Sequence, residues 1–165
     1  MRYLMQQKFV SVGDDYNIKD QNGNQQFFVD GYGFSFGKRF SFQDPNRNEL
    51  LDVKQRLFTF SPTFIIYKDK IPKAKVRRAM GAVRDVFHLT FLDSKKKIKI
   101  VGKLVEHEYK FYDKKKMIAE VSKKWFRNTD TYAIDISGGQ QDRFILATAV
   151  IVDLICHEKE SKHKR

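Results

Sequence analysis

A short pattern, apolar–x–apolar–x–Asp, recurs five times along this 165-residue chain. It stands at Tyr16-Ile18-Asp20, Phe40-Phe42-Asp44, Ile65-Tyr67-Asp69, Leu89-Phe91-Asp93 and Tyr109-Phe111-Asp113, with Asp spacings of 24, 25, 24 and 20 residues. Alternation with period two puts one side-chain set on each face of a strand, and an Asp followed by polar residues marks a turn. Asn22-Gly23 is the most explicit turn, because a tight hairpin needs positive φ and this pair tolerates it. Each repeat therefore reads as a β-hairpin, with returning strands expected at 25–31, 49–60, 73–82, 98–104 and 117–125. An opening strand at 3–12 and a closing one at 131–137 bring the total to 12. An open antiparallel meander of that size tends to curl or split, so closure into a barrel is expected. The composition agrees, with 15 Phe and 7 Tyr against 3 Pro.

The period changes after Ser137-Gly138-Gly139. Residues 144–156, FILATAVIVDLIC, are apolar apart from Thr148 and Asp153. Gly-Gly ends the last strand, and Asp142 favours an incoming helix N-terminus. A helix over about 141–157 would be apolar on every side and must be buried on every side. Its apolar part would be about 20 Å long, short of the roughly 30 Å of a bilayer core. Twelve strands about 4.8 Å apart and tilted near 40° close at a radius of about 12 Å, which leaves room for one helix in the lumen. Phe144, Leu146, Val150, Ile151 and Leu154 are its expected core contacts. The expected organisation is one domain over 1–158 with a disordered basic tail at 159–165.

Charge is concentrated rather than spread. The chain carries 32 Lys and Arg against 20 Asp and Glu, a net +12. Between Lys70 and Arg127 there are 18 basic and 6 acidic residues, also +12, so the whole excess lies there. Lys73, Lys75 and Arg77 share one strand parity, and Lys95, Lys97 and Lys99 share another. Alternate residues of a barrel strand face outward, so these sets are expected to form basic ridges, with Arg78 and Lys103 beside them. Lys114, Lys115 and Lys116 fall in a turn, while Lys123, Lys124 and Arg127 flank Trp125-Phe126. Such a surface suits phosphate or an anionic headgroup.

Catalytic chemistry finds little support. One cysteine excludes an internal disulfide and a multi-cysteine zinc site, and it suits a reducing cytoplasm. His88, His107, His157 and His163 show no HExxH or Cys/His spacing, so neither a metal site nor a cofactor is expected. Glu106-His107-Glu108 on a strand would send the His to the face opposite the two Glu, as solvated residues. Cys156 and His157 diverge by about 100° on a helix, and apolar surroundings leave such a thiol inert, as a core cysteine. From Gly31 to Arg39 the glycine spacing fails the phosphate-loop pattern. Asp153, a carboxylate in an apolar helix, is expected to reach water or a structural partner.

The opening MRYLMQQKFVSVGDDYNIKD, the aromatic GYGFSFGKRFSF, the late DTYAIDI and the terminal apolar helix resemble the bacterial LURP-one-related family. That family groups with tubby C-terminal-like and phospholipid scramblase-like folds. The resemblance implies a mainly β, 12-stranded barrel around a central C-terminal helix. Tubby domains bind phosphoinositides and scramblases act at membranes. This chain departs from the scramblase pattern: it has no cysteine-rich palmitoylation stretch, no Pro-rich N-terminal arm, and a basic tail in place of an acidic calcium loop. The expected function is a non-enzymatic, monomeric module of the cytoplasm or the inner membrane surface, binding anionic phospholipid or phosphoinositide headgroups. The N-terminus lacks the apolar stretch of a signal peptide. The alternatives are nucleic acid or an acidic protein on the same basic face, or a small ligand at a barrel mouth.

Overall fold

The computed structural model describes residues 1–8, 15–32, 36–81, 85–124 and 129–163, with side chains as far as Cys156 in the last segment. Twelve strands run through them: β1 (Arg2–Lys8), β2 (Asp15–Asp20), β3 (Gln25–Gly31), β4 (Arg39–Gln43), β5 (Glu49–Gln55), β6 (Thr63–Lys68), β7 (Ile71–Arg78), β8 (Val86–Phe91), β9 (Lys97–Lys103), β10 (Glu108–Asp113), β11 (Lys116–Ser122) and β12 (Thr131–Ile136). Each pairs antiparallel with its neighbours in sequence, and β1 pairs with β12, so the meander closes into a barrel. A single helix, α1 (Asp142–His163), follows β12. It extends past the expected end at 157. No described helix is long and apolar enough to cross a membrane.

Alternation decides what faces the lumen. Tyr16 and Ile18, Phe40 and Phe42, Leu89 and Phe91, and Tyr109 and Phe111 are buried, as the repeat predicts. β6 departs from it: Phe64 and Ile66 are the buried pair, whereas Ile65 and Tyr67 are only half-buried. The bulge between Ile66 and Tyr67 places its extra residue, Lys73, on β7, and β6 runs one residue further before its turn, so Asp69 follows the buried Ile66 by three residues instead of two. Apolar residues on both faces of β6 hide that shift from sequence reading.

The five hairpin turns lie at one end of the barrel. Asp20 Oδ1 accepts the backbone N–H of Asn22 and of Asn24 at 2.8 and 2.9 Å. Asp44 Oδ1 does the same for Asn46 and Asn48, also at 2.8 and 2.9 Å. The same Asp-x-Asn-x-Asn turn is thus built twice, with Gly23 (φ 87°) and Arg47 (φ 69°) at its left-handed position. Hydrogen bonds from Asn24 and Asn48 hold both carboxyls below the ordinary carboxylate range. Asp69 and Lys70 make a two-residue turn with both φ positive, as a hairpin twist demands.

α1 enters the lumen from this turn end. Every residue from Phe144 to Cys156 is buried, including the five expected core contacts and the Cys156 thiol. The Phe144 ring packs 5.2 Å from that of Phe91. Thr148 satisfies its hydroxyl by donating to the Phe144 carbonyl at 2.6 Å. Gln141 accepts the first helical bonds, and Asp142 sits in the first turn, where its carboxylate accepts the Tyr3 hydroxyl at 2.7 Å. Each fully buried large apolar side chain contributes about 1.5–3 kcal/mol. The helix therefore supplies much of the core that a twelve-strand wall leaves open.

The strands at the other end stop short of expectation. β5 ends at Gln55 rather than 60, and β7 at Arg78 rather than 82. The long connections at this loop end include residues 56–62 and 104–107. The expected strand ends at Val12, Ala82 and Trp125 lie outside the described residues, as does Arg127.

Candidate functional site

Cross-strand register assembles part of the predicted basic surface. Lys75 on β7 lies opposite Thr90 on β8, and Thr90 opposite Lys97 on β9. One row towards the loop end, Arg77 lies opposite His88 and His88 opposite Lys99. Their neighbours Ala74, Val76, Leu89, Ile98 and Ile100 are buried in the lumen, so both rows face outward, with Lys73 continuing the β7 column. Strand spacing puts the two basic columns about 10 Å apart and the rows about 7 Å apart. His88 and Thr90 form the floor between them.

No carboxylate lies within ion-pair distance of Lys73, Lys75, Arg77, Lys97 or Lys99 among the described residues. The borders differ. Lys54 pairs with Asp52 at 3.1 Å on one side, and on the other Lys96 pairs with Asp113 at 2.9 Å and Lys110 with Glu120 at 3.5 Å. The β7–β9 wall thus holds five basic side chains close together without a carboxylate partner among the described residues. His88 registers it: burial first, then Lys97 and Lys99, lower its pKa below the ordinary 6.5.

The other expected residues fall elsewhere. Arg78 takes the opposite parity at the barrel rim and pairs with Asp85. Lys95 is in the β8–β9 turn with φ 59°, off the ridge it shares in sequence, because β9 begins only at Lys97. Lys103 faces outward but pairs with Glu106 at 3.3 Å. Lys114 and Lys115 occupy the turn after β10, while Lys123 and Lys124 follow β11 at the loop end.

The structure also builds a polar cluster that strand parity misses. His107 is not on a strand: residues 104–107 form a turn, and φ 54° at His107 swings the ring inward. Its Nε2 lies 2.5 Å from Asp153 Oδ1, and Tyr16 donates its hydroxyl to Asp153 Oδ2 at 2.5 Å. The His107 ring packs 4.5 Å from that of Tyr132, whose hydroxyl donates to Met5 Sδ at 2.8 Å. Tyr109 lies beside them with a buried hydroxyl that has no hydrogen-bond partner among the described residues. Burial and the Asp153 charge push the Tyr109 and Tyr132 phenols well up. Asp153 is thus partnered structurally, which ties the helix to β2 and to the turn before β10. The only sequence signal was a carboxylate in an apolar run.

Residues 1–153 match the profile of the LURP-one-related family. The chain belongs to that family. It is 25% identical over 159 residues to the uncharacterized protein YxjI of Bacillus subtilis (strain 168), with 96% of each chain covered. Its fold is similar to that of an Arabidopsis thaliana protein solved by X-ray crystallography, at a TM-score of 0.69 and 15% identity, covering 93% of this chain and 91% of the other. At that identity the likeness is one of fold alone.

In this LURP-one-related barrel the Asp153 cluster lines none of three surface clefts, which lie at the turn end and on the outer wall. The cleft beside the helix N-terminus, about 520 Å3 and lined by Tyr3, Phe27, Leu51, Arg143 and Phe144 among others, lies at a barrel mouth, the place the small-ligand alternative names. Among the described residues no group of three His, Cys, Asp or Glu could hold a metal ion.

Proposed function

We propose that this LURP-one-related barrel is a non-enzymatic module that binds anionic phospholipid headgroups, phosphoinositides among them. It binds through the β7–β9 wall and works peripherally on the cytoplasmic face of a membrane. One observation supports this above the others: Lys73, Lys75, Arg77, Lys97 and Lys99 crowd two outward columns with no carboxylate partner among the described residues. Like charges held together cost free energy that an anion recovers, and two columns about 10 Å apart suit phosphate groups presented on a surface. Each basic residue near an anionic membrane contributes about 1 kcal/mol, so five give about 5 kcal/mol. That is a weak, salt-sensitive attachment.

Co-sedimentation with phosphatidylcholine/phosphatidylglycerol vesicles, against phosphatidylcholine alone, tests it at low and physiological salt. Binding only to the anionic vesicles is expected, and K97E/K99E reverses four units of charge and abolishes it at physiological salt. Failure to bind anionic vesicles at low salt overturns the reading. Capture of single-stranded oligonucleotides by the same lysines, without vesicle binding, replaces lipid with nucleic acid.

A further inference from the structure

The loop end exposes aromatic residues that a water-soluble surface has no use for. Phe36 is 98% exposed, Phe58 103% and Phe60 99%, with Leu57 and Met80 exposed beside them. They stand on the connections β3–β4, β5–β6 and β7–β8, which are successive at the same end because the meander alternates ends. The strand expected over 49–60 ends at Gln55, so Phe58 and Phe60 fall in the loop beyond it.

These three connections are fastened to one another. A Cβ on Gly37 would lie 2.9 Å from Leu57 Cδ2, so the first loop packs directly on the second. Lys38 N donates to Gln55 Oε1 at 2.9 Å, and Gln55 N donates to the Lys38 carbonyl at 2.8 Å. Within the second loop Thr59 donates to the Ser61 carbonyl at 2.8 Å, and Ser61 donates across to the Arg78 carbonyl at 2.6 Å. Arg77 Nη2 donates to Met80 Sδ at 3.5 Å in the third. The loops are held by these bonds while the rings face water. Phe58 even holds φ 57°, a left-handed conformation rare for a bulky residue.

The surroundings are basic. Described residues 36–39, 56–62 and 77–81 contain Lys38, Arg39, Arg56, Arg77 and Arg78 and no Asp or Glu; Arg39 pairs with Asp52 and Arg78 with Asp85, which leaves Lys38, Arg56 and Arg77 as the rim's net charge. Arg77 belongs both to this rim and to the β7–β9 wall. Aromatic rings interleaved with Lys and Arg match an anionic bilayer interface, where rings settle at the headgroup–acyl boundary and cations meet the phosphates.

We infer that Phe36, Phe58 and Phe60 form a membrane-inserting tip that seats the loop end of the barrel in an anionic bilayer. This deepens the proposed lipid reading by assigning an orientation: the tip enters the interface while the adjacent wall contacts headgroups. Charge complementarity and fully exposed rings carried on two neighbouring loops favour a bilayer over a flat protein partner.

Two variants test it. W125F/F58W carries its one tryptophan at the tip, and its emission is followed on phosphatidylcholine/phosphatidylglycerol vesicles with and without acyl-chain bromine. A blue shift and quenching by bromine are expected. F36S/F58S/F60S, folded by circular dichroism because all three rings are exposed, is expected to lose roughly tenfold in vesicle partitioning per ring removed. Sedimentation of W125F/F58W without blue shift or quenching overturns the tip and leaves the basic-wall reading standing. Quenching retained in W125F/F58W/K97E/K99E supports the tip and overturns the wall. If F36S/F58S/F60S changes oligomeric state but not partitioning, the tip is an interface between copies and the inference falls.

Discussion

Asp153 and His88 show how far burial governs a single side chain. The Asp153 carboxylate is buried in the lumen and holds Tyr16 and His107. Asp153→Ala removes the acceptor of the buried Tyr16 hydroxyl and the partner of His107 Nε2, so a loss of about 2–4 kcal/mol is expected in urea unfolding. The double variant Asp153→Leu with Tyr16→Phe is expected to lose less, since it removes the Tyr16 hydroxyl as well. His88 has its pKa lowered by burial and by Lys97 and Lys99. The unfolded chain therefore takes up this proton more readily than the folded one. The contribution of neutral His88 is present at neutral pH and is lost as pH falls through the ordinary histidine range near 6.5. An NMR titration checks the direction, and inorganic phosphate on the wall is expected to raise the His88 pKa by offsetting the two lysines.

At the level of elements, β9 and α1 are the least tolerant. Gly102 lies opposite Tyr109 with φ 145°, and a Cβ there would come within 2.5 Å of the Glu108 carbonyl oxygen and 2.6 Å of the Tyr109 Cα. Backbone cannot yield as a side chain can, so Gly102→Ala is expected to cost about 2–4 kcal/mol in chemical denaturation. Val150 is fully buried on the central helix. Val150→Asp places an unpaired charge in an apolar lumen at a cost comparable to the whole stability of a domain, about 5–15 kcal/mol. Loss of the circular-dichroism signature of the folded barrel is expected; a folded, soluble variant would contradict the central position of the helix.

On the scale of the molecule, wall and helix depend on each other. A barrel of roughly 12 Å radius cannot fill its lumen with its own side chains, so the helix is its core. Truncation after Ser137 is expected to give an aggregated chain, measured by the soluble fraction and by size-exclusion chromatography. The same closure fixes the polarity of the surface. Every second connection returns to one end, which gathers the hairpin turns at one mouth and the aromatic loops at the other. A meander without edges also leaves the β7–β9 wall facing outward.

Strand number, hairpin order and the central helix were legible in the sequence because each is written locally. Period-two alternation, turn chemistry at Asp20 and Asp44, and a helical run without a polar face need no knowledge of distant residues. The basic columns were half legible: parity marked Lys73, Lys75, Arg77, Lys97 and Lys99, but not that His88 and Thr90 would sit between them. Register across three strands, the parity of β6, the inward swing of His107 and the exposure of Phe58 and Phe60 were decided only by the tertiary structure. Each depends on which backbone groups pair across the barrel and on where pairing stops. Those are non-local balances of hydrogen bonding and packing that no short window of sequence contains.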